Sequence, residues 1–309
     1  MAAPAISVVV PVYNGSATLA ELARRVDEAL RGRAYELVLV NDGSADESWR
    51  LIGELSREHP QVRGLDLMRN YGQHNALLAG IRSARGAVVV TIDDDLQNPP
   101  EEIPKLVERL EEGDVDVVYG SAAEQHYGFW RGLGTRLSKL ALRVAIGIDV
   151  ASRVSAFRAF RTDLRTAFEG FEAPYVSIDV LLNWGARRYA FVTVEHRARD
   201  EGRSSYSFGR LATHALNVLT GFSTRPLRWA SLLGLAFTLF GVAILVLVVV
   251  RSLVEESVPG FPFLASIIAI FSGVQLLTLG VIGEYLGRMH GRVMDRPAYA
   301  VREEVGADG

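Results

Sequence analysis

The chain has no cysteine among its 309 residues. This absence excludes disulfides, thiolate zinc sites and a cysteine nucleophile. The six histidines are scattered, and none stands in an HExxH or similar metal-binding spacing. The net charge is −3 and no long run of one sign occurs, so we expect no nucleic-acid partner. No basic segment precedes the first apolar run, which we interpret as a strand and not as a signal peptide.

Apolar runs alternate with helical patterns through roughly the first 120 residues. The runs predict strands at residues 6–12, 35–40, 62–67, 88–92 and 116–120, and the patterns predict helices at 16–30, 46–57, 74–84 and 101–111. This alternation is typical of a doubly wound, mostly parallel α/β sheet with right-handed connections. A further strand is predicted at residues 192–199. No GxGxxG follows the first run, so the dinucleotide-binding fingerprint is missing.

The fourth apolar run ends abruptly in Asp93, Asp94 and Asp95, and Gln97 follows. Because side chains alternate along an extended chain, Asp93 and Asp95 can point to one side while Asp94 points elsewhere. Two carboxylates on one side suit Mg²⁺ or Mn²⁺, with a substrate diphosphate as a further ligand. The alternative interpretation is that the acids only solubilise a turn and cap the helix that begins near Glu101.

Polar residues also follow the other predicted strands. Tyr13, Asp42 and Arg69 lie just past the ends of the first, second and third strands. Each alone is compatible with ordinary turn chemistry. A doubly wound sheet, however, brings these strand ends to one edge, where ligands bind. We therefore predict a pocket with an acid near a base or ribose, a cation near a phosphate, and a metal between them.

Two long uncharged segments occupy residues 229–250 and 263–283. As a helix, the first would span about 33 Å, close to the roughly 30 Å of a bilayer's hydrocarbon core. A buried helical hairpin is the alternative to two membrane spans, predicted at about residues 229–250 and 263–284. Arginines flank the outer ends of both segments, so the positive-inside rule predicts that both ends are cytoplasmic. The arginines are Arg225 and Arg228 before the first segment, and Arg288, Arg292 and Arg296 after the second.

Residues 125–148 and 208–222 separate basic from apolar positions at helical spacing. The first of these stretches is either an ordinary amphipathic core helix or a helix that lies on a membrane surface. The predicted division of the chain is a cytoplasmic catalytic domain at residues 1–206, a juxtamembrane amphipathic segment at 207–228, two transmembrane helices within 229–286, and a cytoplasmic tail at 287–309.

The motifs PVYN, NDGS, RNYG and DDDLQNPP, in this order, resemble the inverting family 2 glycosyltransferases, which have a GT-A fold. RxxGxSxY at residues 199–206, the two C-terminal segments and IGEYLGR at 282–288 are similar to the polyprenyl-phosphate glycosyltransferases, relatives of dolichyl-phosphate mannose synthase. The family usually has glutamate after PxYN, where this chain has Gly15. The resemblance covers essentially the whole chain.

The resemblance implies a role for each matching residue. Nucleotide binding is expected from Pro11, Tyr13, Asn14, Asp42, Arg69 and Asp94. Metal binding is expected from Asp93, Asp95 and Gln97. Acceptor-phosphate binding is expected from Arg131, Arg136, Arg199 and Ser204. Asp93, Asp95 and Arg199 are the expected catalytic residues, and Mg²⁺ or Mn²⁺ is the expected cofactor.

The implied reaction is inverting transfer of a sugar from a nucleotide diphospho-sugar, with UDP preferred, to a polyprenyl phosphate of the undecaprenyl type. The product would be a lipid-linked monosaccharide for cell-envelope glycan modification. The resemblance also implies a multi-pass protein of the bacterial inner membrane with a cytoplasmic catalytic domain, and a homo-oligomer, often a tetramer. Two alternatives remain, namely a processive polysaccharide synthase and a non-catalytic membrane-bound sugar-nucleotide sensor.

Overall fold

A computed structural model describes residues 4–122, 154–173, 175–195, 224–254, 261–294 and 296–306. The chain divides into two compact units. One consists of residues 1–215 together with 295–309, and the other of residues 216–294.

The first unit begins with the predicted alternation of strands and helices. Its elements are β1 (Ile6–Val12), α1 (Leu19–Ala29), β2 (Tyr35–Asn41), α2 (Ser48–Glu58), β3 (Val62–Leu67), α3 (Gln73–Ser83), β4 (Val88–Thr91), a 3-10 helix (Pro100–Glu102), α4 (Ile103–Glu111) and β5 (Val117–Ala122). It continues with β6 (Arg158–Arg161), a 3-10 helix (Thr162–Phe168), α5 (Ile178–Gly185), β7 (Tyr189–Val194) and β8 (Val301–Val305). The second unit contains α6 (Arg225–Val254) and α7 (Phe261–Val293).

The eight strands form one sheet in the order β7-β5-β6-β4-β1-β2-β3-β8. Strand β1 lies parallel to β2 and β4, β2 is parallel to β3, and β5 is parallel to β7. Only β6 and β8 among these strands run antiparallel to their neighbours. Every residue of β1 is buried, as expected for a central strand covered on both faces. The predicted doubly wound, mostly parallel α/β sheet is confirmed.

Apart from small shifts of other boundaries, two segments after residue 180 differ from the sequence-based expectation. The strand expected at residues 192–199 occupies Tyr189–Val194. Residues 287–309, expected to be a tail, contain the end of α7 and then β8, which pairs with β3 at the edge of the sheet. A short charged strand such as β8, with sequence VREEV, is typical of a sheet edge and resembles a solvated segment when read locally.

A buried ion pair joins the first residues of the central strands. Glu36 accepts hydrogen bonds from the Ser7 hydroxyl at 2.5 Å and from Arg63 at 2.8 Å. The backbone N–H of Arg85 donates to the same carboxylate at 2.6 Å. The side chains of Glu36 and Arg63 are only 6% and 8% exposed, so this pair is removed from water.

Helices α6 and α7 pack on each other through an aromatic contact. Gly241 faces the ring of Phe271, and Phe237 meets that ring edge-on at 6.2 Å between centroids. The segments Pro226–Ile244 and Ile270–Gly287 are long and apolar enough to cross a membrane, and almost none of either is buried. The alternative of a buried hairpin inside a water-soluble core is therefore wrong.

Candidate active site

A cavity of about 450 Å³ opens where β1, β2, β3 and β4 end. Each of the four strands is followed by a loop that contributes to its wall, as the parallel arrangement predicts. The lining residues are Pro11, Val12, Tyr13, Asp42, Asn70, Gly72, Gln73, Asp93, Asp94, Asp95 and Gln97. The structure thus brings together seven of the residues singled out from the sequence, including all three acids of the turn after β4.

The acidic turn after β4 is held by two glutamines. Gln73 donates from its side-chain amide to Asp93 at 2.6 Å. Gln97 donates its side-chain amide to one Asp95 oxygen at 2.6 Å and its backbone N–H to the other at 3.2 Å. The turn is possible because Leu96 adopts a φ of 56°, in the left-handed region that is uncommon for a branched side chain. Gln73 was missed by the sequence reasoning, although it directly follows the RNYG motif at the same sheet edge.

The oxygen ligands that this turn offers suit a divalent cation that binds together with a substrate. Among the residues that the structure describes, no three His, Asp or Glu side chains form a ready-made metal site. Mg²⁺ is typically bound by one or two carboxylates plus substrate phosphates and water, not by a cage of protein ligands alone. Asp93 and Asp95 line the same cavity and supply two such carboxylates. A diphosphate would complete the coordination shell.

Asp94 faces a different environment from its two neighbours. Burial, together with the charges of Asp93 and Asp95, raises the pKa of Asp94 to about 6. The hydrogen bond that the Asp94 carboxylate accepts from the backbone N–H of Tyr13 opposes this shift. The Oδ2 atom of Asp94 is buried, and within the described part of the chain it has no hydrogen-bond partner. A Cβ atom built on Gly15 would lie 2.2 Å from this oxygen. The carboxylate of Asp94 therefore occupies the space of a side chain at position 15.

Asp42 lines the cavity and also shapes the next loop. It is 2% exposed, and its two oxygens accept the backbone N–H groups of Tyr71 at 2.7 Å and Gly72 at 2.9 Å. Burial raises the pKa of Asp42, and the two N–H groups oppose that shift. Asp42 thus organises the loop after β3 while it borders the cavity.

Asn14 and Arg69 make contacts within loops. The side-chain oxygen of Asn14 accepts the N–H of Ala45 at 2.9 Å, and its own N–H donates to Ser44 at 3.0 Å. Asn14 therefore links the loop after β1 to the loop after β2. The guanidinium of Arg69 lies 4.7 Å from the centre of the Tyr71 ring. Direct nucleotide contacts by these two residues stay predictions.

The residues expected to bind the acceptor phosphate lie outside the described residues. They are Arg131, Arg136, Arg199 and Ser204. Most of the expected juxtamembrane segment, residues 207–223, also lies outside them. The acceptor site stays a prediction from the sequence.

A mostly parallel, doubly wound sheet without a dinucleotide fingerprint, and with a carboxylate-rich turn at its strand ends, is the arrangement found in GT-A glycosyltransferases. Residues 7–166 match the family described as glycosyl transferase family 2. The chain belongs to this family and is a glycosyltransferase.

Relatives of known name match nearly the whole chain. The undecaprenyl-phosphate 4-deoxy-4-formamido-L-arabinose transferase of Pseudomonas aeruginosa is 40% identical over 98% of this chain and 91% of its own. The transferase of the same name from Yersinia pestis is 37% identical over 98% of this chain and 94% of its own. Together with the two apolar helices, these relatives mark the protein as membrane-associated.

A solved structure shares the fold of the catalytic unit. The glucosyl-3-phosphoglycerate synthase of Mycobacterium tuberculosis, in complex with Mn²⁺, UDP and glucosyl-3-phosphoglycerate, superposes with a TM-score of 0.53. It covers 71% of this chain and 79% of its own, with 22% sequence identity. The similarity shows the fold alone.

Proposed function

We propose that the protein transfers a sugar from a nucleotide diphospho-sugar to a polyprenyl phosphate of the undecaprenyl type. The observation that carries this proposal is the 40% identity to an undecaprenyl-phosphate sugar transferase over 98% of the chain. The acidic cavity at the strand ends and the two exposed apolar helices supply what such a reaction needs, namely a donor site and a lipid-facing anchor. UDP is the preferred nucleotide, and the product is a lipid-linked monosaccharide for cell-envelope glycan modification.

The donor occupies the cavity in this proposal. Asp93 and Asp95 would hold Mg²⁺ or Mn²⁺, and Gln97 keeps the Asp95 carboxylate in place. When bound, the cation neutralises charge that develops on the leaving diphosphate. Tyr13, 55% exposed at the cavity, offers a ring face on which a base can stack. Asp42 places an acidic group beside the base or ribose.

The acceptor needs little activation. A phosphate monoester has a second pKa near 6, so at pH 7 its attacking oxygen is mostly unprotonated. In the proposed step this oxygen forms a bond to the anomeric carbon, the bond to the diphosphate breaks, and the configuration inverts. Arg131, Arg136, Arg199 and Ser204 are the proposed contacts for the acceptor phosphate. Their charges would offset the repulsion between two anionic reactants.

The connectivity supports one orientation in the membrane. The chain leaves the sheet unit before α6 and returns to it in β8, which pairs with β3. Two helices that each cross a bilayer return the chain to the side that it left. The arginines at both outer ends make that side cytoplasmic under the positive-inside rule. We propose a multi-pass protein of the bacterial inner membrane that assembles as a homo-oligomer, a tetramer by family resemblance.

The experiment uses membranes containing the full-length protein, undecaprenyl phosphate, Mg²⁺ or Mn²⁺, and a panel of labelled nucleotide sugars. Label in a short lipid-linked sugar supports the proposal. Label in long polymer identifies a processive synthase instead, and label in neither fraction with every donor identifies a non-catalytic protein.

Asp95→Ala tests the assigned metal ligand. The variant is expected to lose at least 100-fold in turnover, because one lost electrostatic contact to a developing charge typically has an effect of 10²–10³. Membrane insertion should be unchanged. Glu58→Ala, an exposed carboxylate at the end of α2, is the matched control and should keep wild-type turnover. Wild-type turnover in Asp95→Ala would remove the metal assignment.

A further inference from the structure

The segment after the second apolar helix forms an edge of the sheet next to the donor cavity. Strand β8 runs antiparallel to β3, with Leu65 opposite Glu304 and Asp66 opposite Glu303. The register shifts between Asp66 and Leu67, at the end of β3 nearest the cavity. Only residues 294–300 separate this strand from the end of α7.

The segment first contacts the loops around the donor cavity through a buried acidic residue of β3. Asp66 is 2% exposed, and Arg302 donates to its Oδ2 at 3.0 Å. The second nitrogen of the Arg302 guanidinium donates to the carbonyl of Met68 at 2.8 Å. Arg302 therefore neutralises a buried carboxylate and fixes the chain just beyond β3.

The same acid reaches the loop after β2. The Oδ1 atom of Asp66 accepts the side-chain amide of Asn41 at 2.7 Å, and Asn41 is itself 2% exposed. The carbonyl oxygen of the Asn41 side chain accepts the N–H of Ser44 at 3.3 Å. Asp42, the next residue, lines the cavity. One continuous set of hydrogen bonds thus runs from Arg302 to the loop that presents Asp42.

A second set of contacts reaches the loop after β3. The side-chain amide of Asn75 donates to the carbonyl of Ala298 at 2.6 Å in a buried environment. The N–H of Met68 donates to the carbonyl of Ala300 at 2.9 Å. Asn75 lies two residues after Gln73, which lines the cavity and donates to Asp93.

We propose that Arg302 is a positioning residue for the nucleotide donor, and that residues 298–302 are part of the frame of the donor cavity. Arg302 pairs with the buried carboxylate of Asp66, and Asp66 in turn fixes the side chain of Asn41. Asn41 then holds the loop that carries Asp42. Removing Arg302 leaves a buried carboxylate with one partner fewer, and such a group relaxes toward water. The loop after β2 would move with it, and the donor cavity would lose its shape. The inference rests on the proposed function, because donor binding is its readout.

The test measures UDP binding to the full-length protein in detergent with Mn²⁺, and then the kinetic constants for transfer. Arg302→Met keeps the aliphatic stem and removes the charge. We expect it to weaken UDP binding and raise the donor KM about tenfold, while kcat and the KM for undecaprenyl phosphate change less than twofold. Arg302→Lys should recover most of the loss. Glu303→Gln, at the next and likewise exposed residue of the same strand, is the control and should bind UDP as the wild type does.

A second pair of variants separates positioning from a general effect on the fold. Replacing Asp66 by Asn removes the charge that Arg302 compensates, so adding Arg302→Met to Asp66→Asn should change UDP binding less than twofold. A tenfold further loss in that background, or unchanged UDP binding in Arg302→Met alone, would overturn the positioning role. If the wild-type protein binds neither UDP nor GDP, the proposed function fails and this inference fails with it. If the wild-type protein binds UDP and the Arg302 variants bind it equally well, the inference alone fails.

Discussion

Substituting Gly15 by alanine tests whether the third acid of the turn after β4 really occupies the space of that residue. The added Cβ would lie 2.2 Å from Oδ2 and 3.1 Å from Cγ of Asp94. Non-bonded carbon atoms need about 3.5–4.0 Å between them, and the gap to an oxygen is only slightly shorter. The carboxylate must therefore move by about 1 Å, away from a position where it accepts the N–H of Tyr13. Its neighbours Asp93 and Asp95 share the same short turn and would move too.

The expected energy follows from this geometry. Overpacking a well-filled site typically destabilises by about 1–3 kcal/mol. The backbone at Gly15 is not in the left-handed region, so alanine meets no backbone strain there and restricts the unfolded chain by about 0.4–1 kcal/mol. The net destabilisation is about 1–2 kcal/mol. At about 2–4 °C per kcal/mol for a domain of this size, Tm should fall by about 2–8 °C.

The measurement is the thermal unfolding of full-length protein in detergent, in a cycle of Gly15→Ala with Asp94→Ala. In the Asp94→Ala background the obstruction is gone, so Gly15→Ala should no longer lower Tm. The matched control is Gly170→Ala, because nothing in the described part of the chain lies within 4 Å of a Cβ at that position. Equal effects of Gly15→Ala in both backgrounds would show that Asp94 is not the obstacle. Turnover should also fall in Gly15→Ala, because the turn carries Asp93 and Asp95, the two acids that we propose as metal ligands.

Three further substitutions probe packing and charge elsewhere in the molecule. Glu36→Gln should destabilise by about 3 kcal/mol, because it leaves its buried arginine partner uncompensated, and an unchanged Tm would contradict this. Asp116→Asn should lower Tm near pH 7, since the hydrogen bond from Arg188 holds the pKa of Asp116 below its ordinary value of 3.8. That stabilisation is present above pH 3.8 and lost as pH falls through the lowered value, so the difference in Tm from wild type should shrink below pH 4. Gly241→Leu should separate α6 from α7 and lower Tm, whereas Gly234→Leu, with open space in the described structure, should not.

Much of the sheet could be predicted because buried parallel strands appear in a sequence as continuous apolar runs. The boundaries of β1 and β3 agree with the prediction, and β2 extends by one residue, to Asn41. Strand β8 could not be predicted, because its residues are mostly exposed and its partner β3 lies more than 200 residues earlier in the chain. Its pairing depends on a tertiary contact and leaves no local hydrophobic pattern.

In the candidate site, too, the sequence pattern predicts some features and not others. The meeting of Tyr13, Asp42 and the three acids follows from topology alone, because parallel strands end at one edge. The partners of individual loop residues do not follow from it. Asp42 accepts two N–H groups from the loop after β3, and Asn14 joins two loops, because the loop conformations bring distant backbone groups within reach. Turn-forming residue types indicate that a loop exists, but they do not specify what it contacts.

Two sequence features that look separate are one feature in the structure. Alternation along the strand predicted that Asp94 points away from Asp93 and Asp95, and the sequence independently departs from the family pattern by having Gly15 after PVYN. In the folded chain the carboxylate of Asp94 enters the space that only a glycine at position 15 leaves open. A larger residue at position 15 would displace the carboxylate of Asp94 from the place that it occupies in the structure. The glycine at position 15 therefore leaves open the space that the carboxylate of Asp94, the middle one of the three acids at the cavity, occupies.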